Sequence, residues 1–343
     1  MTIAVAGAGI VGCVVAYELA RRGFRVEVFD PRQIGGGATR ATAGVIAPFI
    51  EAPARGPLHD LTLESFRLYD AFIQDLQGNS GVAVEYRRCG TLEVTETRQD
   101  ENRLQAVADL ARDAGLVAEW TEVPVQDDAV NSRRGLVIPA HGYVRVEHLM
   151  LALRRGAEAR GAGFNEGEGI SRIELRPTGC VVHTAERRLS CEAVVVAAGS
   201  WSDSFGLDPV GIRPVRGQLL RLHWRGQPPP SIIWTHDCYV VPWTDGTVLV
   251  GATVEDVGFD ESVTADGVRG LLRAVCQLLP EARNATFIDA RAGLRPASVD
   301  GLPVLRAAQR SPRVIYATGH YRNGILLAPL TAQRIASLVE ATL

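Results

Sequence analysis

The protein has 343 residues, of which 46% are hydrophobic, and its net charge is −3 at pH 7. At roughly 150 residues per domain, this length predicts two domains with a substantial core. The small negative charge argues against a basic face for nucleic acid. No apolar run approaches the ~18 residues of a membrane span, and the opening residues lack the basic region of a signal peptide.

The basic residues and the cysteines exclude several kinds of chemistry. All 36 basic residues are arginine, because the sequence contains no lysine. Schiff-base catalysis, pyridoxal phosphate attachment and the GxxxxGK phosphate loop are therefore excluded. The six cysteines are scattered without a CxxC pair, which argues against a zinc site and against a disulfide scaffold. We expect no metal site, reduced thiols and a cytoplasmic location.

The first thirty residues have the pattern of a dinucleotide-binding β-α-β unit. Residues Thr2–Ala6 predict a buried strand, a helix follows to about Arg22, and Arg25–Phe29 predict a second strand. The sequence GAGIVG lies between the first strand and the helix. Asp30 closes the second strand, 23 residues after Gly7. With strand, helix and acid in register, the GxGxxG pattern indicates a dinucleotide site.

Each position of this motif has a physical task. Gly7 permits the tight turn, Gly9 lets the backbone approach a pyrophosphate, and Gly12 lets the helix pack on the strand. The free N–H groups at the helix N-terminus can bind the phosphates. Asp30 can accept hydrogen bonds from ribose hydroxyls. The alternative for Asp30 is a surface charge at the end of a strand.

A loop of small residues, GGGATRATAG at 35–44, follows this unit. A nicotinamide-dependent dehydrogenase would usually continue with another strand and helix. Small side chains let the backbone contact a large flat ligand without collision. The loop therefore favours FAD over a nicotinamide cofactor, and a flexible linker is the alternative.

The middle of the chain changes from helical patterns to alternating ones. Helical periodicity covers 61–76, 100–114 and 146–160. Strand patterns cover 82–86, 90–94, 170–175, 179–184 and 193–198. From residue 213 the sequence pattern is typical of antiparallel strands, with strands at 216–224 and 286–290 and a hairpin at 238–251.

These patterns predict an α/β protein with an α+β second domain. A Rossmann-like FAD-binding domain is interleaved with a mostly antiparallel β-sheet domain that binds the substrate. The FAD-binding domain is predicted to be discontinuous and to comprise 1–80, 142–212 and 293–343. The substrate-binding domain is predicted to comprise 81–141 and 213–292.

Residues 319–324 are predicted to connect a strand at 313–319 with a helix from Gly324 to about Thr342. The helix N-terminus would place free N–H groups and a partial positive charge beside the edge of a flavin that becomes negative on reduction. Arg322 would then be free to face a substrate anion. The alternative is an ordinary surface loop with an exposed arginine.

Arg295 lies in an otherwise apolar segment, and Pro296 favours an extended conformation for it. An arginine entering a core needs an anionic partner. A substrate carboxylate held by two hydrogen bonds is one candidate. An internal ion pair with Asp289 or Asp300 is equally compatible with the residues. From pattern alone, Tyr239 is a core aromatic residue of a strand.

These motifs resemble the D-amino acid oxidase superfamily, and most closely the glycine oxidases associated with thiamine biosynthesis. The last of the matching segments is the most specific for glycine oxidases, and two positions depart from them. Asp237 stands where these oxidases carry a histidine, and Val45 stands where a longer side chain is common. The matching segments are GAGIVG at 7–12, ATAG at 41–44, VRGQ at 215–218, CYVVP at 238–242, VGAT at 250–253, AGLRP at 292–296 and ATGHYRNGILLAP at 317–329.

The resemblance implies a non-covalent FAD and a small amino acid as substrate. It implies that Arg295 holds the substrate carboxylate, that Tyr239 donates a hydrogen bond to it, and that Arg322 faces the substrate. The motif and the resemblance together predict these cofactor contacts: Gly7, Gly9, Ile10, Val11, Gly12, Asp30, Pro31, Ala38, Thr39, Ala43, Gly44, Val45, Ile170, Gly199, Gly319, His320, Tyr321, Arg322, Asn323, Gly324, Ile325 and Leu326.

The expected reaction is hydride transfer from the substrate Cα to flavin N5, which gives an imine and then a 2-oxo acid and ammonia. Molecular oxygen would accept the electrons and form hydrogen peroxide. Glycine, sarcosine and small D-amino acids are the expected substrates, a homo-oligomer is expected, and the imine could pass to a thiazole-synthesis partner. The alternatives are a D-amino acid dehydrogenase using a quinone or carrier protein, an imino-acid or secondary-amine oxidase, a nicotinamide-dependent dehydrogenase, and a flavin-binding scaffold without activity.

Overall fold

The computed structural model describes residues 1–95, 97–123 and 133–343. Helices and strands alternate through the N-terminal part, so the fold is of the predicted α/β class. Every helix within these ranges is too short or too polar to cross a membrane. The helices are α1 (Ile10–Arg21), α2 (Pro48–Glu51), α3 (Pro57–Ser80), α4 (Arg98–Asp113), α5 (Val146–Glu158), α6 (Ala265–Leu278) and α7 (Ala328–Thr342).

A six-stranded sheet contains the N-terminal β-α-β unit. Neighbouring strands are parallel except for the edge pair β19 and β20. Its strands, in spatial order, are β19 (Val304–Ala307), β20 (Val314–Thr318), β13 (Ala193–Val196), β1 (Thr2–Ala6), β2 (Arg25–Asp30) and β9 (Gly163–Glu166). The central strands are continuous apolar runs because both faces of the sheet are covered. On one face, Val14 of α1, Leu153 of α5 and Ile335 of α7 join the largest core cluster.

An eight-stranded sheet forms the other large layer. Its neighbours are antiparallel except for the parallel pair β15 and β5. In spatial order the strands are β18 (Thr286–Ala297), β14 (Arg213–His223), β17 (Thr247–Gly251), β16 (Tyr239–Pro242), β15 (Ile232–Trp234), β5 (Thr91–Val94), β7 (Arg133–Ile138) and β6 (Glu119–Val123). Helix α6 covers one face through Leu271 and Val275, which pack with Leu220 and Val250.

Two small antiparallel sheets complete the structure. Their strands are β10 (Arg172–Arg176), β11 (Gly179–His183) and β12 (Arg188–Cys191) in one, and β3 (Val45–Ile46), β8 (Gly142–Val144) and β4 (Tyr86–Arg87) in the other. The predicted division into two interleaved domains stays a prediction. Its boundary between residues 292 and 293 falls inside β18, which pairs with β14 along its whole length. We therefore propose that β18 crosses from one domain to the other.

At two places the sequence prediction differs from the structure for identifiable reasons. Residues 82–85 do not form a strand. Val82 and Val84 pack into the core beside α3, and the Val84 N–H donates to the Gln77 side chain, so their alternation reflects packing rather than pairing. Helix α6 was not predicted, because Gly267 and Gly270 lower its helix propensity. Its apolar face compensates through burial.

The C-terminal helix also differs from its prediction. It begins at Ala328 rather than at Gly324, and residues 321–327 form turns instead. Pro329, the second residue of α7, suits a first helical turn because proline lacks the N–H that would have no partner there. The connection after β20 is therefore longer than the sequence indicated, and more of its backbone is available for a ligand.

Candidate active site

A cavity of about 370 Å³ lies at the carboxyl ends of β1, β2, β13 and β20. Residues of β16 and β18 in the eight-stranded sheet line its other end. Its volume is in the range of small-molecule and cofactor sites. Ligands of open α/β sheets bind at the carboxyl ends of the strands, so the fold places this cavity where a dinucleotide is expected.

The glycines of the GAGIVG motif shape the nucleotide end. Gly7 has φ +106°. A Cβ atom on Gly7 would lie 2.8 Å from the carbonyl carbon of Ala197. Gly9 lines the cavity, and a Cβ there would meet only the Thr39 Oγ1, at 3.3 Å. A Cβ on Gly12 would collide with the carbonyl oxygen of Gly7, so Gly12 allows the close approach of α1 to the turn, as predicted.

Asp30 lies at the same end, beside Pro31 and Ile170. One carboxylate oxygen accepts a hydrogen bond from the Ala8 N–H at 2.7 Å, and the other accepts one from the Arg32 N–H at 2.8 Å. Each oxygen keeps a further acceptor position. The carboxylate is therefore held by backbone donors while still able to accept hydrogen bonds from ribose hydroxyls.

The loop 319–327 forms the opposite wall. Tyr69 and Ser65 on α3 donate to the carbonyls of Ile325 and Leu326, at 2.6 Å and 2.7 Å. The N–H groups of Gly324, Ile325 and Leu326 have no acceptor within the described ranges. A row of free N–H groups on a cavity wall is a binding site for the electron-rich edge of a ligand. Although α7 begins later than predicted, the donors expected at its N-terminus are supplied by the turn.

His320 and Tyr321 begin this loop. Tyr321 has φ +49°, a conformation that costs energy for a non-glycine residue, and its N–H donates to the carbonyl of Pro296. The His320 Nε2 is 2.9 Å from the Thr331 Oγ1, and burial lowers the pKa of His320 to about 4. The imidazole is therefore neutral near pH 7. It is a wall of the site rather than a cation.

The residues present fit an FAD molecule. One end of the cavity has a glycine turn, a helix N-terminus and a carboxylate, which suit the adenosine and pyrophosphate. The other end has free N–H groups, which suit a flavin ring. Between them, a Cβ on Gly37 or Gly199 would meet no protein atom within 4 Å. Two buried polar atoms of this wall, His320 Nδ1 and Asn323 Oδ1, lack partners among the described residues.

Arg295 brings a guanidinium to the far end of the cavity from β18. Its Nη1 donates to the backbone carbonyls of Arg216, at 3.3 Å, and Thr253, at 3.0 Å. Among the described residues, no carboxylate forms an ion pair with Arg295. Burial lowers the pKa of Arg295, which reflects the cost of a cation without a counter-charge.

The alternative partners suggested by the sequence are occupied elsewhere. Asp289 accepts two hydrogen bonds from Arg221, at 2.9 Å and 2.7 Å. Asp300 accepts the N–H of Leu302 at 3.0 Å. Within the described residues, Arg295 therefore forms no ion pair with Asp289 or Asp300.

Tyr239 lies on β16 at the same end of the cavity. Its ring stacks on Trp234, with 4.8 Å between the ring centroids. Burial raises the pKa of Tyr239, against the opposing effects of Arg295 and Arg322. The phenol is therefore a hydrogen-bond donor near neutral pH. Its ring also packs against a core cluster, so Tyr239 is both the core aromatic that its strand pattern indicated and a residue of the cavity wall.

Two glycines make room for these side chains. A Cβ on Gly217 would collide with the guanidinium of Arg295, and a Cβ on Gly251 would collide with the hydroxyl of Tyr239. Gly217 lies on β14 and Gly251 lies on β17, so the register of the sheet decides which side chain each glycine accommodates.

Replacing Gly217 by alanine should therefore displace the Arg295 guanidinium without unfolding the protein, because a flexible side chain moves more readily than backbone. We expect KM for the amino acid substrate to rise about tenfold or more, with FAD content unchanged. Steady-state kinetics and flavin absorbance measure both quantities. Gly270→Ala is the control, since a Cβ there meets no protein atom within 4 Å. An unchanged KM in Gly217→Ala would contradict the prediction.

Arg322 differs from the free cation that was expected. Its Nη2 lies 3.3 Å from Glu51 Oε1, and its guanidinium lies over Trp234, 5.6 Å from the ring centroid. Glu51 ends helix α2 and also lines the cavity. Burial raises the pKa of Glu51, while Arg322 and Arg295 oppose the change. The pair occupies the same end of the cavity as Tyr239.

The structure brings most of the predicted site residues to one cavity. Gly12, Gly44 and Gly319 do not line it, and each allows a close backbone or core contact instead. The predicted residues that line it are Gly7, Gly9, Ile10, Val11, Asp30, Pro31, Ala38, Thr39, Ala43, Val45, Ile170, Gly199, Tyr239, Arg295, His320, Tyr321, Arg322, Asn323, Gly324, Ile325 and Leu326. Their functional roles stay proposals.

Sequence reasoning missed Glu51 and Trp234 among the cavity residues. Glu51 follows the apolar segment VIAPFI, and an acid directly after a buried segment was a usable signal. Trp234 precedes Tyr239 by a short loop and offered no such signal. Its role depends on the pairing of β15 with β16, which the sequence pattern did not indicate.

The comparisons with known proteins identify the family. The model of the DAO family, described as FAD dependent oxidoreductase, matches residues 2–338. A glycine oxidase of Geobacillus kaustophilus (strain HTA426) is 31% identical over 351 residues, covering 98% of this chain and 92% of that protein. The bifunctional protein ThiO/ThiG of Nostoc sp. is 31% identical over 349 residues, covering 98% of this chain and 52% of that protein.

A solved structure extends the similarity to the fold. The crystal structure of glycine oxidase from Geobacillus kaustophilus matches with a TM-score of 0.92 at 30% identity, covering 99% of this chain and 95% of that chain. The resemblance to the D-amino acid oxidase superfamily and its glycine oxidases is thereby confirmed, as is the predicted FAD. This chain belongs to the DAO family of FAD-dependent oxidoreductases.

Proposed function

We propose that the protein is an FAD-dependent oxidase of small amino acids, with glycine, sarcosine and small D-amino acids as substrates. The observation that carries the proposal is the partly buried guanidinium of Arg295, which has no carboxylate partner in the described part of the chain and lines the flavin cavity. A substrate carboxylate would supply the missing anion. Similarity to glycine oxidases along almost the whole chain supports this class of reaction.

Two side chains would fix the substrate carboxylate. Arg295 would donate from the N–H groups that the backbone carbonyls leave free, and Tyr239 would donate its hydroxyl hydrogen. Held at two points, the substrate presents its Cα–H toward the loop 319–327, where the flavin ring is expected. When bound, FAD supplies two-electron oxidation by accepting a hydride at N5.

The walls of the substrate end favour a small side chain. Trp234 and Tyr239 stack there, and the guanidinium of Arg322 lies over Trp234. We propose that these aromatic and guanidinium groups limit the space beyond the substrate amine and Cα. We therefore propose that glycine and sarcosine react faster than D-amino acids with large side chains.

We propose that the site acts by orienting the substrate, and that no side chain removes a proton from its Cα. The titratable side chains described at this end include Glu51, Tyr239, Arg295, Tyr321 and Arg322. Glu51 pairs with Arg322, and the raised pKa of Tyr239 keeps its phenol protonated. We propose that the substrate reacts with its amine already neutral, so that loss of hydride from Cα gives an iminium cation. This cation becomes the imine by releasing one N–H proton to water.

The products follow from the loss of a hydride and a proton by the substrate. Hydrolysis of the imine gives a 2-oxo acid and ammonia, or methylamine when the substrate is sarcosine, and molecular oxygen takes up the two electrons to form hydrogen peroxide. The bifunctional ThiO/ThiG relative supports a second fate, in which the imine passes to a thiazole-synthesis partner. The homo-oligomer and the cytoplasmic location stay predictions.

Oxygen uptake by the purified yellow protein tests this function. Glycine, sarcosine and D-alanine should each consume oxygen and release an equal amount of hydrogen peroxide, measured by a peroxidase-coupled assay. Reduction of a quinone or dye without oxygen uptake would indicate a dehydrogenase instead. A preference for L-proline would indicate an imino-acid oxidase. A colourless protein that does not bind added FAD would refute the proposal as a whole.

A further inference from the structure

Glu51 has no part in the proposed reaction, although its carboxylate lies in the substrate end of the cavity. It is the last residue of α2, and its side chain is 14% exposed. Its Oε1 lies 3.3 Å from Nη2 of Arg322. A carboxylate is seldom buried without a partner, and here the partner is a second arginine of the site.

At this end of the cavity one guanidinium group lacks an internal carboxylate partner, so one external anion can pair with it. Burial raises the pKa of Glu51, and the two groups that oppose this change are Arg322 and Arg295. The space therefore holds two guanidinium groups and one internal carboxylate. Arg322 lies within ion-pair distance of Glu51, whereas Arg295 has no ion-pair partner within the described ranges. A ligand with one carboxylate would give each of the two guanidinium groups an anionic partner. A ligand with two carboxylates would bring one negative charge more than these groups can pair with.

We infer that Glu51 is a specificity-determining residue, which occupies Arg322 and so restricts the enzyme to amino acids with a single carboxylate. This inference rests on the proposed function, because it assumes that Arg295 holds the substrate carboxylate. A second substrate carboxylate would meet the carboxylate of Glu51 instead of a free cation. Like charges in a site with little water repel strongly, and such repulsion is a source of discrimination between ligands.

Two pairs of ligands isolate the effect of the second carboxylate. Sarcosine and iminodiacetate are both N-substituted glycines, and iminodiacetate has one more carboxylate. Butyrate and glutarate are their analogues with a methylene group in place of the nitrogen, so they bind without reaction. The first pair measures turnover by oxygen uptake. The second pair measures binding to the FAD-loaded protein by titration calorimetry.

Glu51→Gln keeps the shape of the side chain and removes its charge, which frees Arg322. We expect the ratio of kcat/KM for iminodiacetate to that for sarcosine to rise about tenfold or more, with a similar rise in glutarate affinity relative to butyrate. In the double variant Glu51→Gln/Arg322→Met both ratios should return to the starting values. Glu18→Gln is the matched control, because Glu18 is buried and pairs with Arg22 at 2.8 Å outside the cavity.

Each contrary outcome has a distinct meaning. Unchanged ratios in Glu51→Gln, or a rise that persists in the double variant, would overturn the role of Glu51 alone. Glutarate binding to the unaltered protein about tenfold tighter than butyrate would overturn it without any variant. Failure of butyrate to bind at all would overturn the carboxylate site of Arg295, and with it both the proposed function and this inference.

Discussion

Replacing Arg295 by alanine should lower kcat/KM for glycine or sarcosine by about 100- to 1,000-fold, mainly through a higher KM. The guanidinium is the one described group at the substrate end that is both cationic and free of a carboxylate partner. Its loss removes the charge-assisted hydrogen bonds that would hold the substrate carboxylate. Steady-state oxygen uptake over a range of substrate concentrations measures the effect.

The free energy of unfolding and the amount of bound FAD distinguish substrate binding by Arg295 from a purely structural role. Burial lowers the pKa of Arg295, so its removal relieves an uncompensated cation and should leave the free energy of unfolding equal or higher. FAD content should not change. Arg213→Ala is the control, because Arg213 lies on the adjacent strand β14 and its side chain is 63% exposed. Loss of FAD with an unchanged KM would remove Arg295 from its proposed role.

Replacing Gly7 by alanine should destabilise the protein by about 2 to 5 kcal/mol and leave it with little bound FAD. Two costs add at this position. The φ of +106° is unfavourable for any residue with a Cβ, and that Cβ would lie 2.8 Å from the carbonyl carbon of Ala197. Backbone of two neighbouring strands would have to separate, which opens the nucleotide end of the cavity.

Gly23→Ala isolates the first cost. Gly23 follows α1 with φ +89°, and a Cβ there meets no protein atom within 4 Å. It should cost only about 1 to 2 kcal/mol and leave FAD content unchanged. Urea unfolding and flavin absorbance compare the two variants. Equal losses of stability and of FAD in both variants would show that the collision with Ala197 affects neither the free energy of unfolding nor FAD binding.

The predicted β-α-β unit and its glycine turn match the structure because their determinants are local. The turn at Gly7, helix α1 and the acid at Asp30 lie within thirty residues, and each depends on backbone conformation or on burial of a short apolar run. Glycine spacing and strand length report those properties directly. The loop predicted at 319–324 is present, but it extends to residue 327 because α7 starts four residues later than predicted.

The sequence by itself determined the α/β class, the FAD-binding motif and the residue types available for an anion. Only the tertiary structure decided which partners these residues have. It showed that Asp289 pairs with Arg221, that Arg295 has no carboxylate partner among the described residues, and that Arg322 pairs with Glu51. Partners such as these come from distant segments, and the register and packing that join them depend on many weak contacts across the fold. A pattern in one segment reports its own conformation, but it does not report the identity of its neighbour.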